Sequence, residues 1–124
     1  MDTVKEIIRI AGYDDVESLP INELIEVDGG AFMDLSIEKV RDDELSVGHY
    51  YTQNYDLMSD PEVRFDVSGE EWTPVTFTQH GVPQVHQRDE DGLEMKSFLS
   101  GWNSRLREQG FINKAESKFK YDNE

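Results

Sequence analysis

Val4, Ile7, Ile8 and Ala11 fall at the i, i+3, i+4 and i+7 positions of one helical face, and Gly12 stands where a left-handed C-terminal cap belongs. Thr3 and Glu6 have the spacing of a capping box, so the pattern predicts a helix over 3–11 with Thr3 as N-cap. Asp14, Asp15 and Pro20 break the pattern into a connection. Leu24, Ile25 and Val27 among acids predict a short strand at 24–28, turned by Asp28-Gly29-Gly30 into the next. From Ala31 to Arg88 the period is two. Met33, Leu35 and Ile37 alternate with Asp34, Ser36 and Glu38. Arg41 to Glu44 reads as a charged turn. Leu45, Val47, His49, Tyr51 and Gln53 share one face of the following strand, and Asn54 to Pro61 reads as a loop. Val63, Phe65 and Val67, then Val75 and Phe77, mark two more strands. Gly81 allows a bulge, and Pro83 places the segment 82–88 at a sheet edge. Met95, Leu99, Trp102 and Leu106, with Phe98 beside them, predict an amphipathic helix over 93–109, with the acids Asp89, Glu90 and Asp91 favourably placed near its N-terminus.

Short connections between successive strands favour an antiparallel meander. The expected fold class is therefore α+β: a five- or six-stranded antiparallel meander sheet flanked by an N-terminal and a C-terminal helix. One domain spans 1–112, and 113–124 is a polar C-terminal tail. Met33, Leu35, Ile37, Val47, Phe65, Phe77, Leu99 and Trp102 are the expected core.

Charge changes this picture most. The chain of 124 residues carries 27 Asp and Glu against 12 Lys and Arg, a formal charge of −15. The excess is confined to residues 1–91, which hold 22 acids and 6 bases; residues 92–124 hold 5 and 6. Such a chain is a poor direct ligand for nucleic acid, whose phosphates are gripped by Lys and Arg. No apolar run is long enough for a membrane span, and no basic-then-apolar leader opens the chain, so the expected place is the cytoplasm. Excess acid serves solubility. It also suits a protein partner with a basic surface, by complementary potential.

Candidate chemistry is sparse. With no cysteine, thiol nucleophiles, disulfides and Cys-based zinc sites are excluded. Neither a Gly-x-Ser-x-Gly elbow nor a phosphate-binding glycine loop occurs, so no catalytic residue, cofactor or metal is assigned and the protein is expected not to be an enzyme. A weak metal or enzymatic site is open only if His49, His80 and His86 meet, with Asp56 or Asp60 as a further ligand. The candidate acidic surface is Asp34, Glu38, Asp42, Asp43, Glu44, Glu62, Asp66, Glu70 and Glu71. To meet a partner's basic groove, these must gather on one surface and not pair with Arg41, Arg64 or Arg88. The candidate aromatic and polar surface is Tyr50, Tyr51, Gln53, Asn54, Asp56, Asp60 and Trp72. Because neighbouring residues of a strand point oppositely, one of Tyr50 and Tyr51 lies on the helix side and the other on the open side.

The run His49-Tyr50-Tyr51-Thr52-Gln53-Asn54-Tyr55-Asp56-Leu57-Met58-Ser59-Asp60-Pro61 resembles the signature of a family of small proteins of unknown function from plasmids, conjugative elements and phages. Phe32 to Glu38 and Trp72 to Gln79 are similar to that family's other segments, so the resemblance covers about 24–88. Tyr55 departs from it, because the family carries glycine there, and a different turn is implied. The resemblance supplies no catalytic residue. It implies an origin on mobile elements, hence an acidic inhibitor of a host nucleic-acid-binding defence protein, of anti-CRISPR or anti-restriction type. The alternative is a small binding module with an aromatic contact surface on the sheet.

Overall fold

The structure is a computed structural model and describes residues 1–81 and 84–122. The chain runs α1 (Asp2–Ile10), β1 (Leu24–Val27), β2 (Leu35–Arg41), β3 (Glu44–Gln53), β4 (Asp56–Asp66), β5 (Thr73–Gln79), β6 (Val85–Arg88), α2 (Lys96–Glu108) and α3 (Phe111–Asp122). The strands form one antiparallel sheet in sequence order, β1 to β6. This is the α+β meander that the alternation predicts, with its six strands. Of the segment expected at 82–88, Val85–Arg88 is β6; Pro83 lies outside the described residues.

Register fixes which residues share a face. Ile25, Ile37, Val47, Val63 and Phe77 stand opposite one another across five strands, and Val27 pairs with Leu35 and Lys39 with Leu45 on the same side. All three helices pack against this face. Val4, Ile7 and Ile8 of α1, Trp102 and Leu106 of α2, and Phe111 and Ala115 of α3 join it in a single core.

Several sequence expectations are corrected here. Thr3 does not cap α1: its Oγ1 donates to the Asn103 carbonyl and its backbone N–H donates to Asn103 Oδ1, so it bolts α1 to α2. Met33 leaves the core because β2 begins only at Leu35, and it is 38 % exposed. The acids 89–91 fall short of α2, whose first turn carries no acid. Residues 113–122, read as tail, continue α3. Ala115 is fully buried there, while the Lys114 and Lys118 ammoniums donate to the carbonyls of Gly29 and Glu26 beside β1.

The largest revision is at 54–61. This stretch is not a loop; β3 and β4 continue as a two-stranded arm whose tip is Asn54-Tyr55. Both tip residues have positive φ, 53° and 71°, as a two-residue type I′ hairpin turn requires. Tyr55 therefore adopts the left-handed backbone that glycine would take, against the expectation of a different turn. Its side chain is fully exposed and gains no packing in return. Tyr55→Gly is expected to raise stability by about 0.5–1 kcal/mol, since the cost of placing a side chain in that region outweighs the added freedom of glycine in the unfolded chain. Chemical denaturation followed by circular dichroism checks it.

Candidate functional site

The second face of the sheet carries no helix. Its cross-strand rows are Leu24, Glu38, Ser46, Arg64, Thr76 and Arg88, and beside them Glu26, Ser36, Gly48, Glu62, Thr78 and His86. The alternation that buries Ile25 and Ile37 therefore lines up acids on the opposite side.

Gly48 and Pro61 shape the centre of this face. Pro61 has no N–H to give the ladder, and the register slips there, so that Asp60 and Pro61 together oppose His49. A Cβ on Gly48 would stand 3.2 Å from the Tyr50 ring and 3.0 Å from the Pro61 carbonyl. Glycine at this position lets the Tyr50 ring pack close over the backbone, where any side chain would push it aside. The Tyr50 hydroxyl then donates to Glu62 Oε2 at 2.7 Å, and Ser46 Oγ donates to the same oxygen at 2.8 Å. Burial alone would raise the Glu62 pKa. The hydrogen bonds from Tyr50 and Ser46, with the nearby Arg64 guanidinium, outweigh it and hold the carboxyl below its ordinary value. Burial, reinforced by Glu62, pushes the Tyr50 phenol up. Glu62 is thus a fixed carboxylate under a fixed phenol.

Around this pair lies a trough walled by Glu26, Asp34 and Glu38, with Leu24 and Leu57 supplying apolar surface. None of those three carboxylates has a Lys or Arg in ion-pair range among the described residues, although the Lys118 ammonium donates to the Glu26 backbone carbonyl. Towards β6 the character changes. Glu44, expected in a turn, is a buried strand residue gripped by Arg64 and Arg88, and Arg88 also pairs with Glu90. Glu44 Oε2 and Thr76 Oγ1 are buried there without a hydrogen-bond partner among the described residues.

The sequence-predicted acids therefore separate. Asp34, Glu38 and Glu62 meet in the trough. Asp42 and Asp43 are exposed at the β2–β3 turn, and the Asp66 carboxylate accepts from Ser68. Glu70 and Glu71 are exposed in the β4–β5 loop, where Glu70 shares a hollow with Lys5 and Arg9 on the helix side. The aromatic set also divides. Tyr50 is on the open face and Tyr51 on the other. Gln53, Asn54 and Asp56 are exposed near the arm's tip. Asp60 accepts from Gln79 Nε2. Trp72 packs on Phe65 under the Lys5 ammonium, across the sheet from Tyr50. Sequence reasoning missed Leu24, Glu26 and Leu57; the parity of the short first strand was the available signal for Glu26.

The three histidines have separate tasks. His80 Nδ1 accepts from the Ser59 N–H, and His86 Nδ1 contacts Thr78 Oγ1 on the open face. His49 is buried below α2. Its Nδ1 faces the Asp34 carbonyl, which only accepts, and its Nε2 faces the Trp102 indole N–H, which only donates. The ring is therefore neutral with the proton on Nδ1. No group of three His, Asp or Glu side chains with metal-binding geometry occurs among the described residues.

Desolvation pushes the His49 pKa below 6.5, against weaker opposing effects of the Asp34 and Met33 backbone and the Asp60 and Asp34 charges. The unfolded chain then binds more protons below that value, so stability is expected to fall as pH drops below about 6.5. Glu62, with its depressed pKa, acts in a separate window, losing its contribution as pH falls below about 4.5. Urea denaturation between pH 8 and pH 5 checks the first window, which His49→Gln should flatten.

The sequence profile of one family matches residues 2–112, nearly the whole sheet-and-helix unit. The chain belongs to the DUF6908 family. It is a domain of unknown function, and its profile spans every segment on which the sequence resemblance rests. Comparison with curated proteins and with solved structures finds no match. The DUF6908 profile ends within the first residues of α3, so most of that helix lies past the matched region. No helix of the described residues is long and apolar enough to cross a membrane.

Proposed function

We propose that this DUF6908 protein is a non-enzymatic binding module whose open sheet face takes a Lys- or Arg-rich segment of a partner protein. The observation that carries the reading is the trough: the Glu26, Asp34 and Glu38 carboxylates, in no ion pair among the described residues, around a fixed Glu62–Tyr50 pair, on a sheet face no helix covers. Carboxylates accept from ammonium and guanidinium groups, and the chain's charge of −15 steers a basic partner towards them. Leu24 and Leu57 add apolar contact for the stems of such side chains. Nucleic-acid-binding grooves, those of host defence nucleases included, are surfaces of this chemistry, and the mobile-element resemblance suggests that partner class. The pairing of Glu44 and Glu62 with arginines, and the placement of Glu70 and Glu71 off the face, favour a docking trough over an extended array of phosphate-like charge.

Anisotropy of a fluorescein-labelled oligolysine peptide tests the reading. Binding is expected at low ionic strength and should fade as salt shortens the electrostatic range to about 8 Å near 0.15 M. Glu26→Lys with Glu38→Lys should weaken it at least about tenfold, whereas Asp42→Lys with Asp43→Lys, the same charge change at the turn, should weaken it much less. Equal losses from the two double variants would reduce the effect to net charge and overturn the trough.

A further inference from the structure

On the helix side, where the β3–β4 arm leaves the cover of α2, a cleft of about 460 Å³ opens that the trough does not reach. Three distant stretches of chain meet in it: the segment before β2, the bulge at Asp60 and Pro61, and α2. Its apolar lining includes the rings of Phe32, Phe98 and Trp102, and Phe32 is 48 % exposed. Two charges line the cleft. Arg105 of α2 has its guanidinium 6.0 Å from the Phe98 ring centre, with no carboxylate in ion-pair range among the described residues. Asp60 of β4 is oriented by the Gln79 amide at 3.0 Å and has no cation in ion-pair range among those residues.

Arg105 is exposed and Asp60 half-buried, and the two line the same cleft without pairing with each other. Here one is fixed to a helix and the other to a strand bulge, with aromatic rings alongside. A concave, mainly apolar site with a few polar groups is the form a small-ligand pocket takes. We propose that this cleft binds a small aromatic zwitterion, a free aromatic amino acid or a short aromatic peptide. Its ring lies among Phe32, Phe98 and Trp102, its carboxylate meets Arg105, and its ammonium meets Asp60. The proposal is independent of the sheet-face reading.

The test is an NMR titration of the full ¹⁵N-labelled chain, read at the Trp102 indole N–H, with the Trp72 indole as internal control. Phenylalanine and glycylphenylalanine are the two probes, and whichever saturates identifies the source. A saturable shift confined to Trp102 is expected. N-acetylphenylalanine, which lacks the ammonium, and phenylalaninamide, which lacks the carboxylate, should each bind about tenfold more weakly than phenylalanine if that is the ligand. Asp60→Asn and Arg105→Gln should weaken binding similarly in folded protein; the blocked ligands keep the test valid should either variant fail to fold. No shift at millimolar concentrations of both probes, equal movement of both indoles, or undiminished binding of the blocked ligands would overturn the proposal.

Discussion

Replacing Trp102 with alanine is expected to lower the unfolding free energy by about 3–5 kcal/mol. The side chain is 3 % exposed, and its ring lies 5.8 Å from both the His49 and Phe98 rings. Truncation removes that contact area and leaves a cavity between α2 and the sheet. It also strips the buried His49 Nε2 of the indole N–H, its one donor among the described residues. Trp102→Phe keeps most of the volume and loses only that donor, so it should cost about 1–3 kcal/mol. Far-UV circular dichroism in a urea series separates the two variants without relying on tryptophan fluorescence.

A loss of the same size, about 3–5 kcal/mol, is expected for Phe111→Ala. Phe111 is fully buried and packs against His49 at 5.8 Å, and Ala115 one turn later is buried as well. If 113–124 were a tail, changing Ala115 to a larger side chain would be silent. With α3 closing the core, a larger side chain at the fully buried Ala115 should overpack it and cost about 1–3 kcal/mol. The same urea series measures both.

The sheet was legible because period-two alternation is a direct record of one buried and one open face. It placed Leu35, Ile37, Val47 and Phe65 correctly and put Ser36, Glu38, Glu62 and Arg64 on the far side. Its errors have physical causes. Tyr55 hid the hairpin because type I′ turns are recognised by glycine, and a tyrosine in the left-handed region carries no such mark. Lys39 sits on the core face yet is polar; it survives burial by donating to the Val16 carbonyl, a contact 23 residues away in sequence that no local pattern encodes. The helix α3 was missed because its polar face dominates its composition; Phe111 and Ala115, with the half-buried Ile112 and Phe119 packed beside them, mark the buried side. The trough was half legible. Asp34, Glu38 and Glu62 were named, but which carboxylates pair with arginine depends on side-chain reach across strands, and Glu44 was misplaced for that reason.

The central claim is that a basic segment docks on the uncovered face of the sheet. Two-dimensional ¹H–¹⁵N spectra of the intact protein titrated with unlabelled oligolysine peptide test it most directly, residue by residue. The account predicts saturating shifts at Glu26, Ser36, Glu38, Tyr50, Leu57 and Glu62, with α2 and α3 unmoved. Shifts centred on the helices, or spread over all exposed acids including Asp14, Asp15, Glu70 and Glu71, would contradict it.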